Sequence, residues 1–232
     1  EIFFSNITAL QRKKIIGVTG TKGKSTTTKF LAECLQTANK RIVIGGNYGA
    51  PLLDYFGSIE EFDYLVAELS SYQLEFLTNS PAYSIFLNIF ADHLDRHKTL
   101  EKYTKIKTNI WNGIHKKSEI CIIPKNSQQI LVDKNLWNLF NVETSSEILF
   151  SNPIEKNIFP QNSVFNAIHF RENFGTVDLL LNKILSNQNV TEIIQITAKN
   201  FKGLTHRTEY FSTKNSIDFY DDSISSNPDT SV

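Results

Sequence analysis

The stretch KIIGVTGTKGKSTTTKF, residues 14–30, decides the fold. Its first six residues, Lys14 to Thr19, are a short β-branched run that reads as a buried strand. A glycine-rich turn follows, and then a helix from about Lys24 to Asn39. Phe30, Leu31, Cys34 and Leu35 fall on one face of that helix. Gly20 and Gly23 let the backbone bend so that several N–H groups point into one concavity. The helix N-terminus adds about half a positive charge there. Lys24 is placed to neutralise a β- or γ-phosphate, and the Ser25 hydroxyl to ligate Mg²⁺. The strict phosphate-loop pattern places a glycine five residues before Gly23, where this chain has Val18. The strand–GTKGKST–helix context still points to a phosphate-binding loop.

Outward from this stretch, apolar runs recur at Arg41–Gly45, Asp63–Leu69, Tyr83–Ile89 and Glu119–Pro124. Between them lie a Gly/Asn/Pro loop with a short helix, a polar loop ADHLDRHKT, and a helix near Leu100–Ile114. Nearly all-apolar strands alternating with helices predict a mostly parallel sheet covered on both faces. The expected class is α/β, a P-loop-type mononucleotide-binding fold. Residues 127–163 are Asn/Ser-rich and ambiguous. Two helices are predicted near Asn173–Leu185 and Val190–Asn200, then strands at Arg207–Ser212 and Ser216–Ser223. The closing SSNPDTSV has no core-forming pattern.

Composition narrows the function. The 232 residues carry 24 Lys plus Arg against 24 Asp plus Glu, a formal net charge of zero. That excludes a counterion-driven nucleic-acid binder as the default. Hydrophobic residues make up 41% of the chain, enough for a real core. The richest apolar stretch, YSIFLNIFA, is too short for the ~18–20 residues of a membrane span. Cys34 and Cys121 read as buried thiols in a reducing compartment. EIFFSNITALQRKK lacks the basic-then-apolar order of a secretory leader, and residue 1 is Glu, not Met. A cytoplasmic fragment of a longer protein is the expectation.

Five segments together resemble the Mur ligases and folylpolyglutamate synthases, the ATP-dependent amide-forming ligases. They are GTKGKSTTT, GGNYGAPLL (Gly45–Leu53), AELSSYQLE (Ala67–Glu75), NIFADHLDRH (Asn88–His97) with KYTKIK (Lys102–Lys107), and GLTHRTE (Gly203–Glu209). ELSSYQLE is most similar to the D-glutamate-adding branch of peptidoglycan synthesis. The resemblance implies a central ATP-binding domain over residues 1–205 and the start of a truncated Rossmann-like C-terminal domain over 206–232. The family's N-terminal UDP-binding domain is missing from it.

Under this resemblance the implied substrates are ATP, UDP-N-acetylmuramoyl-L-alanine and D-glutamate, handled by a monomer with no nucleic-acid or membrane partner. Gly20, Thr21, Lys22, Gly23, Lys24, Ser25 and Thr26 would cradle the phosphates. Glu68 would hold Mg²⁺ with Ser25. His93 would ligate a second Mg²⁺ with Lys107, the latter as a CO₂-derived carbamate; the Tyr103–x–x–x–Lys107 spacing selects it over Lys105. Lys24, Glu68, His93 and Lys107 are thus the implied catalytic set. Asn47 and Ser70 would lie on the substrate side. The family's His-Asn-x-x-Asn segment falls on His169–Asn173, so Asn173 would contact adenine; Phe170 stands where the first asparagine belongs, and a register using Asn166 remains open. Arg207 and Asp222 would face the nucleotide, and Ile224 occupies a position that often holds lysine. Competing readings are a folylpolyglutamate synthase or other Mur-type ligase, and an ATP-binding fragment without ligase activity.

Overall fold

A helix α1 (Ile2–Ser5) and a one-turn α2 (Ala9–Arg12), closed by a reciprocal Thr8–Gln11 capping box, lead into β1 (Ile15–Thr19). The computed structural model describes residues 1–140, 147–156, 158–161 and 163–224. After β1 come α3 (Lys24–Thr37), β2 (Ile42–Gly46), two 3₁₀ turns, β3 (Tyr64–Glu68), α4 (Ser71–Leu74) and β4 (Tyr83–Phe86). Then follow α5 (Leu94–His97), α6 (Leu100–Thr108), β5 (Ile120–Pro124), α7 (Lys125–Asp133) and β6 (Glu147–Ser151). The described chain closes with α8 (Ile168–Ile184), α9 (Val190–Asn200), β7 (Glu209–Lys214) and β8 (Ile217–Asp221).

The six-stranded sheet has the order β2-β3-β1-β4-β5-β6, and each pair is parallel. β1 lies between β3 and β4, with Gly17 opposite both Ala67 and Ser84. The chain leaves β1 toward β2 on one side and later adds β4 on the other. The strand order therefore reverses at the C-terminal end of β1, which is where open α/β sheets form their ligand crevice.

Burial along β1 is continuous, yet its side chains divide by period two. Ile16 and Val18 enter a layer with α3, α8 and α9, joined by Val66, Ile85 and Ile122. Ile15 enters the opposite layer with Leu65, Ala67, Phe86, Cys121, Ile123 and Trp111. The first layer is aromatic: Phe30 of α3 lies 4.1 Å from Phe174 of α8 between ring centroids, and Phe201 meets Phe30 edge-on at 5.0 Å. Both cysteines are buried free thiols, and burial pushes Cys34 up to about 12.

The structure differs from the sequence reading in places. The ambiguous 127–163 segment contains the end of α7 and the edge strand β6. α6 stops at Thr108 rather than Ile114, and α8 begins at Ile168 rather than Asn173. The predicted terminal strands form an antiparallel hairpin, β7–β8, apart from the main sheet. SSNPDTSV lies outside the described residues. Among the described residues no helix is long and apolar enough to cross a membrane.

Candidate functional site

The loop from Gly20 to Gly23 joins β1 to α3. Gly23 is the N-cap of α3 with φ +80°, a left-handed conformation that favours glycine. Gly20 runs tight against the segment after β4: a Cβ there would lie 2.9 Å from Leu87 Cβ. Ser25 and Thr26 follow in the first helical turn, both buried.

Two lysines converge under this loop. Lys24 donates from Nζ to the carbonyls of Gly20 and Thr21, each at 3.1 Å. Lys107 of α6 donates to the same Gly20 carbonyl at 2.9 Å and to Thr19 Oγ1 at 3.3 Å. Lys107 is 1% exposed, and its ammonium lies 4.9 Å from the centre of the Tyr103 ring. Burial, reinforced by the charge of Lys24, holds Lys107 well below the usual lysine range. Burial likewise lowers Lys24, with Glu68 opposing the shift and Arg207 adding to it.

Glu68 ends β3 beside β1 and is 1% exposed. Its Oε1 accepts from Asn47 Nδ2 at 2.8 Å, and its backbone carbonyl accepts from Asn47 N–H at 2.9 Å. Oε2 is buried with no hydrogen-bond partner among the described residues. A buried acceptor without a donor, next to a hydroxyl-bearing phosphate loop, suits a hard divalent cation. The residues present therefore fit Mg²⁺.

His93 opens α5 with φ +51° and is exposed. Its ring centre stands 6.4 Å from that of Tyr103 and 5.5 Å from that of Tyr72, so His93 and Lys107 share Tyr103 as a neighbour. Asp92 bridges toward Lys22 at 3.8 Å. Ser70, expected on the substrate side, is the N-cap of α4; its hydroxyl is engaged in a capping box with Gln73. Ser71 turns inward to His97 Nε2 at 3.0 Å.

A cleft continues from the loop between α7 and α8. Lys22, Gly23 and Thr26 line one end, and Asn173, Arg207 and Asp222 line it with them. Asn173 is buried close to Gly23, where a Cβ would meet its Nδ2 at 2.3 Å. Asn166, the other register, is not among the cleft's lining residues and donates to the carbonyls of Pro160 and Gln161. Phe170 lines the cleft and also packs into the aromatic layer. Sequence reasoning passed over Thr19 and Asn88. The available signal was a polar residue closing an apolar strand at the sheet edge where the loop lies.

Comparison with known proteins identifies the family. Residues 18–152 match the Mur ligase middle domain. The chain is 31% identical over 237 residues to the UDP-N-acetylmuramoylalanine–D-glutamate ligase of Thermoanaerobacter sp. strain X514, covering 94% of this chain and 51% of that protein. It is 32% identical over 241 residues to the enzyme of the same name from Borreliella afzelii, covering 95% and 51%. The chain thus spans about half the length of the curated relatives it matches. Among solved structures, MurF from Acinetobacter baumannii superposes with a TM-score of 0.66 at 20% identity, covering 95% of this chain and 52% of that one. E. coli FolC in complex with ADP superposes at 0.52 and 13% identity, covering 94% and 68%. At these identities the structural matches establish the fold alone.

Proposed function

The chain belongs to the Mur ligase family through its middle domain, and from that premise we propose that it is the ATP-binding part of a ligase adding D-glutamate to UDP-N-acetylmuramoyl-L-alanine. Relatives bearing that name support the choice within the family, as does ELSSYQLE at the end of β3. Residues 1–205 form the nucleotide-binding unit in this reading, and 206–232 begin a further domain. The separate β7–β8 hairpin supports that division. The single observation that carries the proposal is the convergence of Lys24 and Lys107 on the Gly20 carbonyl, with the unpartnered Glu68 carboxylate oxygen in the same electrostatic neighbourhood.

A carboxylate is a poor electrophile because its leaving group would be an oxide. In the proposed reaction a substrate carboxylate oxygen attacks the γ-phosphorus of ATP. The bond to the β-phosphate oxygen breaks, giving an acyl phosphate and ADP. The amine of D-glutamate then attacks the acyl carbon, phosphate leaves with its oxygen, and the nitrogen sheds a proton. Negative charge gathers in the first step, so positioning and electrostatics dominate. Lys24 and the α3 N-terminus supply positive charge at the phosphates. Ser25 and Glu68 would hold one Mg²⁺, which when bound neutralises triphosphate charge. His93 and Lys107 would hold a second. Lys107 would do so as a carbamate, formed from CO₂ with loss of a proton; its lowered pKa favours the free amine that this modification requires. Asn47 orients Glu68 and faces the transferred group. Ser70 supports the substrate side through the α4 turn it caps. Asn173, Arg207 and Asp222 face the rest of the nucleotide.

Titration calorimetry with Mg²⁺-ATP tests this reading. The chain binds ATP, and Lys24→Ala loses most of the affinity; equal affinity in the variant refutes the loop assignment.

A further inference from the structure

We propose that Asn88 is a positioning residue for the phosphate loop, a role that rests on the nucleotide reading above. Asn88 follows β4 and is half-buried at the sheet edge. Its side-chain amide grips one residue of the loop twice. Oδ1 accepts from the Lys22 backbone N–H at 2.9 Å, and Nδ2 donates to the Lys22 carbonyl at 3.0 Å. The pattern is that of a strand residue pairing with its neighbour, supplied by a side chain. A carboxamide carries both a donor and an acceptor, whereas a carboxylate or an aliphatic chain of similar size does not.

Neighbouring bonds make the grip a clamp. The Thr21 N–H donates to the Asn88 carbonyl at 3.0 Å, and the Phe90 N–H donates to Thr21 Oγ1 at 3.0 Å. The clamp fixes the peptide groups on both sides of Lys22, immediately before Gly23 turns left-handed and starts α3. The Lys22 N–H is itself taken up by Asn88, so the donors on which an anion would sit are those that follow, from Gly23 into the first turn of α3, whose direction the clamp sets. Asn88 also lines the cleft beside Lys22 and Gly23. Asn88 therefore does not bind the phosphates through its own charge. It sets the backbone that does, and it ties that backbone to the segment carrying Asp92 and His93.

The consequence is a loss of affinity confined to the phosphate end of the ligand. Calorimetry of the whole chain with Mg²⁺-ATP and with adenosine separates the two ends. For Asn88→Ala the expected result is about a ten- to hundredfold weaker ATP affinity, the range set by leaving buried peptide groups unpaired. Adenosine affinity stays within about twofold, because Asn173 and the far end of the cleft are untouched. The unfolding midpoint is measured first. If Asn88→Ala does not fold, Asn88→Leu carries the test: it keeps the approximate size without adding charge, loses both bonds to Lys22, and is expected to weaken ATP in the same selective way. Unchanged ATP affinity, or an equal loss for adenosine, overturns the role of Asn88 while leaving the nucleotide reading intact. A wild-type chain that binds neither ligand overturns both.

Discussion

Lys107 shows what a single residue costs and supplies at this site. It is an ammonium buried to 1% exposure, with two hydrogen bonds and a second lysine on the same carbonyl. Its pKa lies well below that of an unfolded lysine. Between the folded and unfolded values the unfolded chain binds more protons, so stability rises with pH across that interval. Without nucleotide or metal, Lys107 should therefore make the unfolding midpoint climb with pH within that interval, up to about pH 9, where the buried Cys34 and Cys121 thiols begin to pull the other way. Lys107→Met should flatten that slope and stabilise the empty protein at pH 7 by about 1 kcal/mol, since an apolar chain replaces a buried charge. Calorimetric melts at several pH values check both. A slope as steep in Lys107→Met as in the wild type would place the titration elsewhere. Lys107 could be selected from sequence through its spacing from Tyr103, but its burial could not. That burial depends on the loop above it, whose Gly20 lies 87 positions earlier in the chain.

Among the elements, β1, β3, β4 and β5 were legible because a strand covered on both faces must be almost wholly apolar. β6 escaped because EILFS sits at the sheet edge, is only partly buried, and follows a polar tract. The start of α8 escaped for a different reason. Its N-cap is Ala167, which offers no side-chain acceptor, so the usual Ser/Thr/Asp/Asn signal is missing. α8 is held instead by close packing. Gly175 lies against the chain after β6, where a Cβ would fall 1.9 Å from the Asn152 carbonyl oxygen and 3.4 Å from Pro153 Cα. Gly175→Ala must push α8 away from that backbone, at a cost of about 1–3 kcal/mol. Asn173, two residues earlier, should be displaced with it. A lowered denaturation midpoint together with weaker ATP binding checks this; a variant with wild-type values for both contradicts it.

For the whole molecule, zero net charge and a localised cationic loop point to a small anion rather than a polymer. Mg²⁺-ATP at a hundred times its Kd should add about 2.7 kcal/mol. In a chain of this size that raises the melting temperature by roughly 5–10 °C. Single-stranded RNA at equal phosphate concentration should leave it unchanged, and a comparable shift with RNA would speak against the assignment. The overall architecture was legible because the loop motif and the strand–helix alternation each restrict the topology. The joining of Asn88 to Lys22, or of Asn173 to Gly23, is fixed only by tertiary folding. β1 has a further bearing on this thermal behaviour, since it sends alternate side chains into both apolar layers and then runs straight into Gly20. A nucleotide gripped there is moored to the two interiors at once. Loss of either interior on heating should accordingly carry the nucleotide site with it, so that the ligand-bound chain melts in a single transition whose midpoint rises with ligand concentration.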